Sequence, residues 1–256
     1  MIYYHTHSPD QMTGEMLDHY LKFGWYRIQQ KMITTDLIVG EDESLLPVFW
    51  IRFDLHKFKP GSSSRKIIKH NQQFTVTFKS FDISRETEEL FNAYKSCTDF
   101  SLTDNVKDYL LGTEAMNVYN SVMIEVRDRQ QLIAVGYFDE GNSSIAGILN
   151  FYHPAYKKHS LGKYLMLLKA EYAVKNRMHY YYPGYICSRN PKFDYKLFPD
   201  KSATEIFIRS RQEWLPYLSV ELTELENQLV QNSIFGKLGI YKNEKVFTVG
   251  DDGSIG

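Results

Sequence analysis

Between Phe151 and Lys196 the chain reads FYHPAYKKHSLGKYLMLLKAEYAVKNRMHYYYPGYICSRNPKFDYK, a stretch that admits few folds. Leu161, Tyr164, Leu165, Leu168 and Tyr172 recur at helical spacing. Ser160, just ahead of them, can accept a hydrogen bond from a first-turn N–H, so the pattern predicts a helix starting at Ser160. Lys175, Arg177 and His179 then stand on the favourable side of its dipole. An apolar run, IAGILNFY (145–152), precedes this helix, and a β-rich run, MHYYYPGYI, follows it to the Pro183-Gly184 break. Strand, loop, helix and strand in that order return the chain to one sheet through a crossover, which implies an α/β layer architecture. The arrangement leaves a helix N-terminus free to meet something anionic.

The rest of the chain supplies more of the same layers. SVMIEVRD and QLIAVGYFD read as paired strands joined near Asp128-Arg129, so the order from Asn120 onward is β-β-β-α-β. Upstream, residues 11–23 carry Met12, Met16, Leu17, Tyr20 and Leu21 on one side of a helix that Gly24 ends. Strands are predicted over 32–39, 48–55 and 74–81, and helices over 84–96, 105–112 and 218–230, with GDDGSIG as a flexible tail.

Lys and Arg total 30 against 31 Asp and Glu, so any nucleic-acid contact must be a local patch rather than a whole-molecule field. Cys97 and Cys187 lack CxxC spacing, and the 8 histidines show no HExxH pattern, so no metal site and no disulfide framework is predicted. Without an apolar leader or a long apolar run, the expectation is a soluble cytoplasmic protein.

These residues resemble the arginyl/leucyl-tRNA–protein transferase family. The resemblance rests on FYHPAY and SLGKY (151–164), YYYPGY (180–185) and KFDYK (192–196), with weaker likeness in VGYFDEGNSS, DYLLG, SSSRKIIKHN and MLDHYLKFGWYR, covering roughly 15–215. It implies a catalytic half similar to the Gcn5-related acyltransferase fold, a mixed sheet flanked by helices with an N-terminal α/β portion packed on it. On that basis 1–115 is the N-terminal portion with a tRNA-contacting loop, 116–231 the acyltransferase-like portion, and 232–256 an extension and tail. The implied reaction moves leucine or arginine from its tRNA to an N-terminal residue, Asp or Glu, of a protein, marking it for N-degron degradation. The co-substrate is aminoacyl-tRNA and no other cofactor is implied. The sequence departs from the family in two ways: no cysteine cluster precedes Trp25, and Pro183 stands where an aliphatic residue is common.

Transfer from an already activated ester needs a neutral amine, donors for the oxyanion and good positioning. An α-amine with a pKa of about 7.7–8.0 has a sizeable neutral fraction near pH 7, so positioning can carry most of the catalysis. Tyr182, Tyr185 and Asp194 are the candidate catalytic residues, the tyrosines as donors or stacking platforms and Asp194 as the group that holds the α-ammonium or takes its proton. Ser160, Gly162, Tyr181, Arg189, Lys192 and Lys196 are candidates for substrate binding. Arg65, Lys66 and Lys69 lie in a basic loop (56–70) without a carboxylate, and the resemblance adds Lys157, Lys158 and Lys163 to the tRNA-contacting set. Each has a plainer alternative: alternate rings of a tyrosine run fill a core, charged loops are usually solvated turns, and Asp194 with its basic neighbours can be a local ion-pair loop. Asp139 and Glu140 are a second pair of carboxylates to consider. An acyl-CoA-dependent N-acetyltransferase is the alternative activity, weakened because KKHSLGKY has only Gly162 to open a pyrophosphate nest. An inert RNA-binding module is a third reading.

Overall fold

The computed structural model describes residues 4–39, 45–98, 102–187, 190–227 and 229. Strand β1 (Tyr4–His7) leads to helix α1 (Gly14–Lys22), which Thr13 caps by accepting from the Met16 N–H at 3.2 Å. Strands β2 (Tyr26–Ile28) and β3 (Lys31–Thr35) complete a three-stranded antiparallel sheet in the order β1-β3-β2. The run predicted as one strand over 32–39 is divided. The Thr35 hydroxyl bonds both backbone groups of Leu37, and the chain bends at Asp36 into β4 (Leu37–Val39), which pairs with β5 (Leu45–Asp54) of a different sheet.

The basic segment after Pro60-Gly61, whose pattern allows a short helix or a turn, forms helix α2 (Ser62–His70), and β6 (Thr75–Ser80) follows. Helices α3 (Arg85–Lys95) and α4 (Val106–Leu110) start at Ser84 and Asn105, whose side chains accept from the N–H groups of Thr87 and Asp108. Strands β7 (Ser121–Asp128) and β8 (Gln131–Glu140) form the predicted hairpin, with Arg129 at φ 55° in its two-residue turn, and β9 (Ser144–Tyr152) comes next. The crossover helix α5 (Leu161–Lys175) leads into β10 (Tyr180–Cys187), and β11 (Thr204–Ile208) and β12 (Glu213–Pro216) close the order. Of the last predicted helix, 218–230, Leu218 and Ser219 lie in the 3-10 turn Tyr217–Ser219, 220 and 221 are not helical, and 222–227 and 229 are helical; the proposed 232–256 extension lies outside the described residues.

The larger sheet has nine strands in the order β12-β11-β5-β10-β9-β8-β7-β6, with β4 on β5. Every pairing is antiparallel except β9 with β10. A mixed sheet flanked by helices is therefore the architecture. The expected division at 115 does not separate two sheets, because β5 and β6 come from before it and pair with β10 and β7. What does pack on the sheet is the N-terminal layer: Leu17, Tyr20, Leu21 and Met32 meet Ala146 and Tyr182. On the opposite face lies α5, whose predicted stripe of Leu161, Tyr164, Leu165 and Leu168 is buried. Each such leucine contributes about 1.5–3 kcal/mol relative to exposure.

Three local expectations need correction. Ser160 precedes α5, but at φ 51° and ψ 44° it is left-handed rather than extended, and its side chain makes no capping bond. The reason is the 3-10 turn at Pro154–His159, which runs directly into the helix and ends with the Ser160 N–H on the Lys157 carbonyl. Arg177, at φ 58°, and His179 lie beyond the helix end, so Lys175 alone is the basic residue of its last turn. Nor does Pro183-Gly184 end β10. The strand continues through a bulge between Tyr181 and Gly184, where Gly184 takes φ 104°, a value that excludes most side chains.

Candidate active site

A gap in the sheet creates the site. Strands β9 and β10 pair in parallel only from Ser144–Ala146 against Tyr180–Tyr182. Pro183 has no N–H to offer a ladder, and after the bulge β10 follows β5, with Gly184 opposite Ile51 and Tyr185 opposite Trp50. β9 stays with β8. In the space that opens, the Tyr26 phenol donates to the Gly147 carbonyl, the first β9 carbonyl beyond the paired stretch.

A cavity of about 430 Å³ occupies this gap. Its walls are Tyr26 and Arg27 from β2, Gly147 to Asn150 from β9, and Tyr181 and Pro183 to Tyr185 from β10. Tyr94 of α3, Tyr109 of α4, Met166 of α5, and Phe193, Tyr195 and Lys196 from the 3-10 turn Pro191–Leu197 complete it. Six phenols and two cations thus face one space, and no Asp or Glu lines it among the described residues.

The two cations differ. Arg27 is neutralised: its guanidinium lies 2.7 Å from the fully buried Asp139 and 3.0 Å from Ser121 Oγ, donates to the Leu110 carbonyl at 2.9 Å, and stacks over Tyr119. Burial pushes the Asp139 carboxyl up, against the pull of Arg27 and the Ser121 hydrogen bond. Lys196 has no such partner among the described residues. Its Nζ donates to the Tyr185 carbonyl at 2.8 Å and sits 4.6 and 5.0 Å from the ring centres of Tyr185 and Phe193. The stem leaves the residue half-buried as a whole, yet desolvation of the ammonium brings its pKa down to about 7. Gly184 makes the room: a methyl group there would lie 3.3 Å from Lys196 Nζ and 3.6 Å from the Tyr26 ring. Desolvation also raises the phenols, Tyr94 and Tyr185 to about 12, and Tyr26, Tyr109, Tyr181 and Tyr195 likewise upward. They are hydrogen-bond donors at neutral pH, suited to a developing oxyanion.

Behind the cavity, Lys169 of α5 is completely buried, with Nζ 2.6 Å from the Tyr137 carbonyl, 3.2 Å from the Leu149 carbonyl and 2.8 Å from Asn150 Oδ1, so the ammonium donates to all three and the neutral amine to two. It fixes Asn150, a cavity residue, by its oxygen.

The predicted site residues separate into groups. Tyr181, Tyr185 and Lys196 line the cavity. Tyr182, one residue on, points to the other face, where it is 4% exposed, packs against Trp214 and accepts from Arg52 Nη1 at 3.3 Å; alternation along the strand takes it out of the cavity. Asp194 and Lys192 are exposed and do not line it, and Arg189 lies outside the described residues. Ser160 and Gly162 do not line it either: Gly162 abuts Tyr152, whose ring is 5.3 Å from that of the cavity residue Tyr94. The cavity tyrosines of β10 meet β2 and the 191–197 turn rather than the α5 N-terminus. Asp139 is engaged by Arg27, and Glu140 accepts from the Tyr172 hydroxyl at 2.8 Å, so neither is a cavity carboxylate.

The basic residues do come together. Arg65, Lys66 and Lys69 are exposed on α2, and Lys157 and Lys158 on the 154–159 turn. The two elements join where His70 stacks on His159 at 4.5 Å and Asn71 Nδ2 donates to the His159 carbonyl. Lys163 lies 4.6 Å over Phe198, next to Pro199, whose carbonyl takes the Ser64 hydroxyl of α2. Lys57, by contrast, is committed to Asp54 at 2.7 Å. Sequence reasoning missed Tyr26, Arg27, Tyr94, Tyr109, Asn150 and Lys169. Only Lys169 carried a signal, since it sits eight residues after Leu161, on the apolar stripe.

Residues 70–200, which hold α5, β10 and the 191–197 turn, match the family described as arginine-tRNA-protein transferase, C terminus. This chain belongs to that family. Among its relatives, an aspartate/glutamate leucyltransferase of Thiobacillus denitrificans is 28% identical over 149 residues, 57% of this chain and 62% of that one. One from Leptospira interrogans is 22% identical over 213 residues, 81% of this chain and 80% of that one. The match to the first spans less than two thirds of that relative's length. Among solved structures, FemX is similar at 11% identity and a TM-score of 0.43, covering 80% of this chain and 69% of that one. Within this transferase family member, no helix among the described residues is long and apolar enough to cross a membrane.

Proposed function

We propose that this protein transfers leucine from its tRNA to the N-terminal Asp or Glu of a protein, with aminoacyl-tRNA as co-substrate and no further cofactor. The observation that carries the reading is the cavity in the sheet gap, which combines phenol donors and a lysine with a complete lack of lining carboxylates among the described residues. An arginine side chain would enter without a counter-ion and beside Lys196, whereas leucine meets Trp50, Leu149 and Met166. An acidic acceptor side chain supplies the negative charge that the lining lacks. The names of the relatives support both choices. The face formed by α2, the 154–159 turn and Lys163 is the proposed docking site for the tRNA backbone. A protein so extended is the mark that N-degron proteolysis recognises, and we assign the activity to the cytoplasm.

The test is a transfer assay with tRNA charged separately with labelled leucine or arginine, and peptides beginning with Asp, Glu, Lys or Arg. Label from leucine on the Asp and Glu peptides is expected. No label from either tRNA on any peptide would overturn the reading.

A further inference from the structure

Among the described residues, the cavity contains a base with no carboxylate beside it. Lys196 Nζ has one fixed partner among the described residues, the Tyr185 carbonyl, and otherwise faces rings and the space left by Gly184. The titratable groups around it are the phenols of Tyr26, Tyr94, Tyr109, Tyr181, Tyr185 and Tyr195, all pushed upward and so protonated, and Arg27, which Asp139 already neutralises. Among the described lining residues, none supplies a negative charge to a protonated Lys196. An acidic acceptor is different in this respect from every other: it brings an ammonium that must lose a proton and a carboxylate that can hold one in place on a neighbour.

We infer that Lys196 takes the proton from the acceptor's α-ammonium, and that the acceptor's own side-chain carboxylate stabilises the lysinium so formed. This rests on the proposed transfer reaction and goes beyond it, because it makes acidic selectivity a matter of catalysis as well as binding. The proton moves from the α-nitrogen to Nζ. The freed lone pair attacks the ester carbonyl of the aminoacyl-tRNA, a C–N bond forms, and the C–O bond to the ribose breaks. The attacking nitrogen's second proton leaves with the ribose oxygen, and Lys196 returns its proton to solvent. An opposite charge within about 4–6 Å raises a lysine's proton affinity by about one to three pH units. Desolvation brings Lys196 to about 7, close to the α-amine's own value of about 7.7–8.0, so a carboxylate beside Nζ draws the proton toward the lysine. An Asn peptide, equal in shape, lacks the switch.

Two measurements decide it. In steady-state kinetics, Lys196→Arg keeps a cation for the carboxylate but cannot accept a proton. Its KM for an Asp peptide should stay within a few-fold of wild type while kcat at pH 7 falls about tenfold, to the share of acceptor that is neutral without a base. An acceptor with an aminooxy group in place of the α-amine, neutral at pH 7, should restore most of that kcat, a rescue that also shows the variant is folded. A Lys196→Arg enzyme with unchanged kcat, or with only KM raised, would overturn the inference. In the second measurement, the Lys196 Nζ resonance of lysine-labelled protein is titrated with and without free peptide, no tRNA being present. An upward shift of one to three pH units with the Asp peptide and none with the Asn peptide is expected, and equal behaviour with both overturns it. This arm holds even if no tRNA is used as donor, so failure of the transfer reaction and failure of the lysine's role are told apart.

Discussion

Replacing Lys169 by Met tests whether the amine at the centre of α5 is uncharged in the folded protein. Lys169 has no exposed surface, and desolvation lowers its pKa to about 7, with Asp139 opposing the fall. In the unfolded chain the amine titrates at about 10.4. Between these values the unfolded chain binds one proton more than the folded one, so this group makes stability rise with pH by about 1.36 kcal/mol per unit. Its contribution is fully present above the unfolded value and is lost as the pH falls toward 7, below which nothing further is lost. From pH 7.5 to 9.5 the gain is about 2.5 kcal/mol. Urea unfolding of wild type and Lys169→Met at both pH values isolates it, because Lys196 and the phenols are common to both proteins and cancel in the difference. The three acceptors left behind by the substitution, on Tyr137, Leu149 and Asn150, add an offset that does not vary with pH. Wild type should therefore gain about 2.5 kcal/mol on Lys169→Met over this interval. A difference that stays flat would mean that the amine keeps its proton in the core, held by Asp139, and the account of desolvation would be refuted.

Two further outcomes are expected. Gly184→Ala should cost about 1–3 kcal/mol, because φ 104° is a conformation that alanine resists, whereas Gly162→Ala, in α5 with only ordinary contact to Tyr152, should gain about 0.5–1 kcal/mol; equal effects in chemical denaturation would remove the argument for a bulge. The double variant Arg65→Ala, Lys66→Ala should weaken tRNA binding and lower the slope of log K against log salt by about two, and an unchanged slope measured by filter binding would take α2 out of the docking face.

The parts of the fold that could be read in advance are those whose signals are local. The strands over 121–152 alternate or run apolar between turn residues, and Ser84, Asn105 and Thr13 stand at real helix starts. The α5 stripe survives even where its cap does not, because burial of four side chains outweighs one hydrogen bond. Strands β1, β2, β11 and β12 left no trace, being only 3–5 residues long and held by partners far along the chain. For the site the same rule holds. Tyr181, Tyr185 and Lys196 sit in the stretch whose pattern was strongest, while Tyr26, Tyr94 and Tyr109 come from three separate elements and meet only through the tertiary fold. Alternation could not say which of Tyr181 and Tyr182 faces the gap, since both faces of a central strand are covered.

One dipeptide links the fold to the proposed chemistry. Pro183 removes the donor that would extend the β9 and β10 ladder, and Gly184, in a conformation closed to most residues, turns the strand away and clears the space that Lys196 Nζ and Tyr26 occupy. The gap then needs a substitute partner on the Gly147 carbonyl, which the Tyr26 phenol provides from another sheet. Because β10 lies between β5 and β9 in the centre of nine strands, the interruption is carried by rigid neighbours rather than by a loop. Under the proposed function, selectivity rests on the residues brought in from β2 and the 191–197 turn. Variation at Tyr195 and Lys196 should alter the choice of acceptor while leaving the sheet intact, and variation at Gly162 should alter neither.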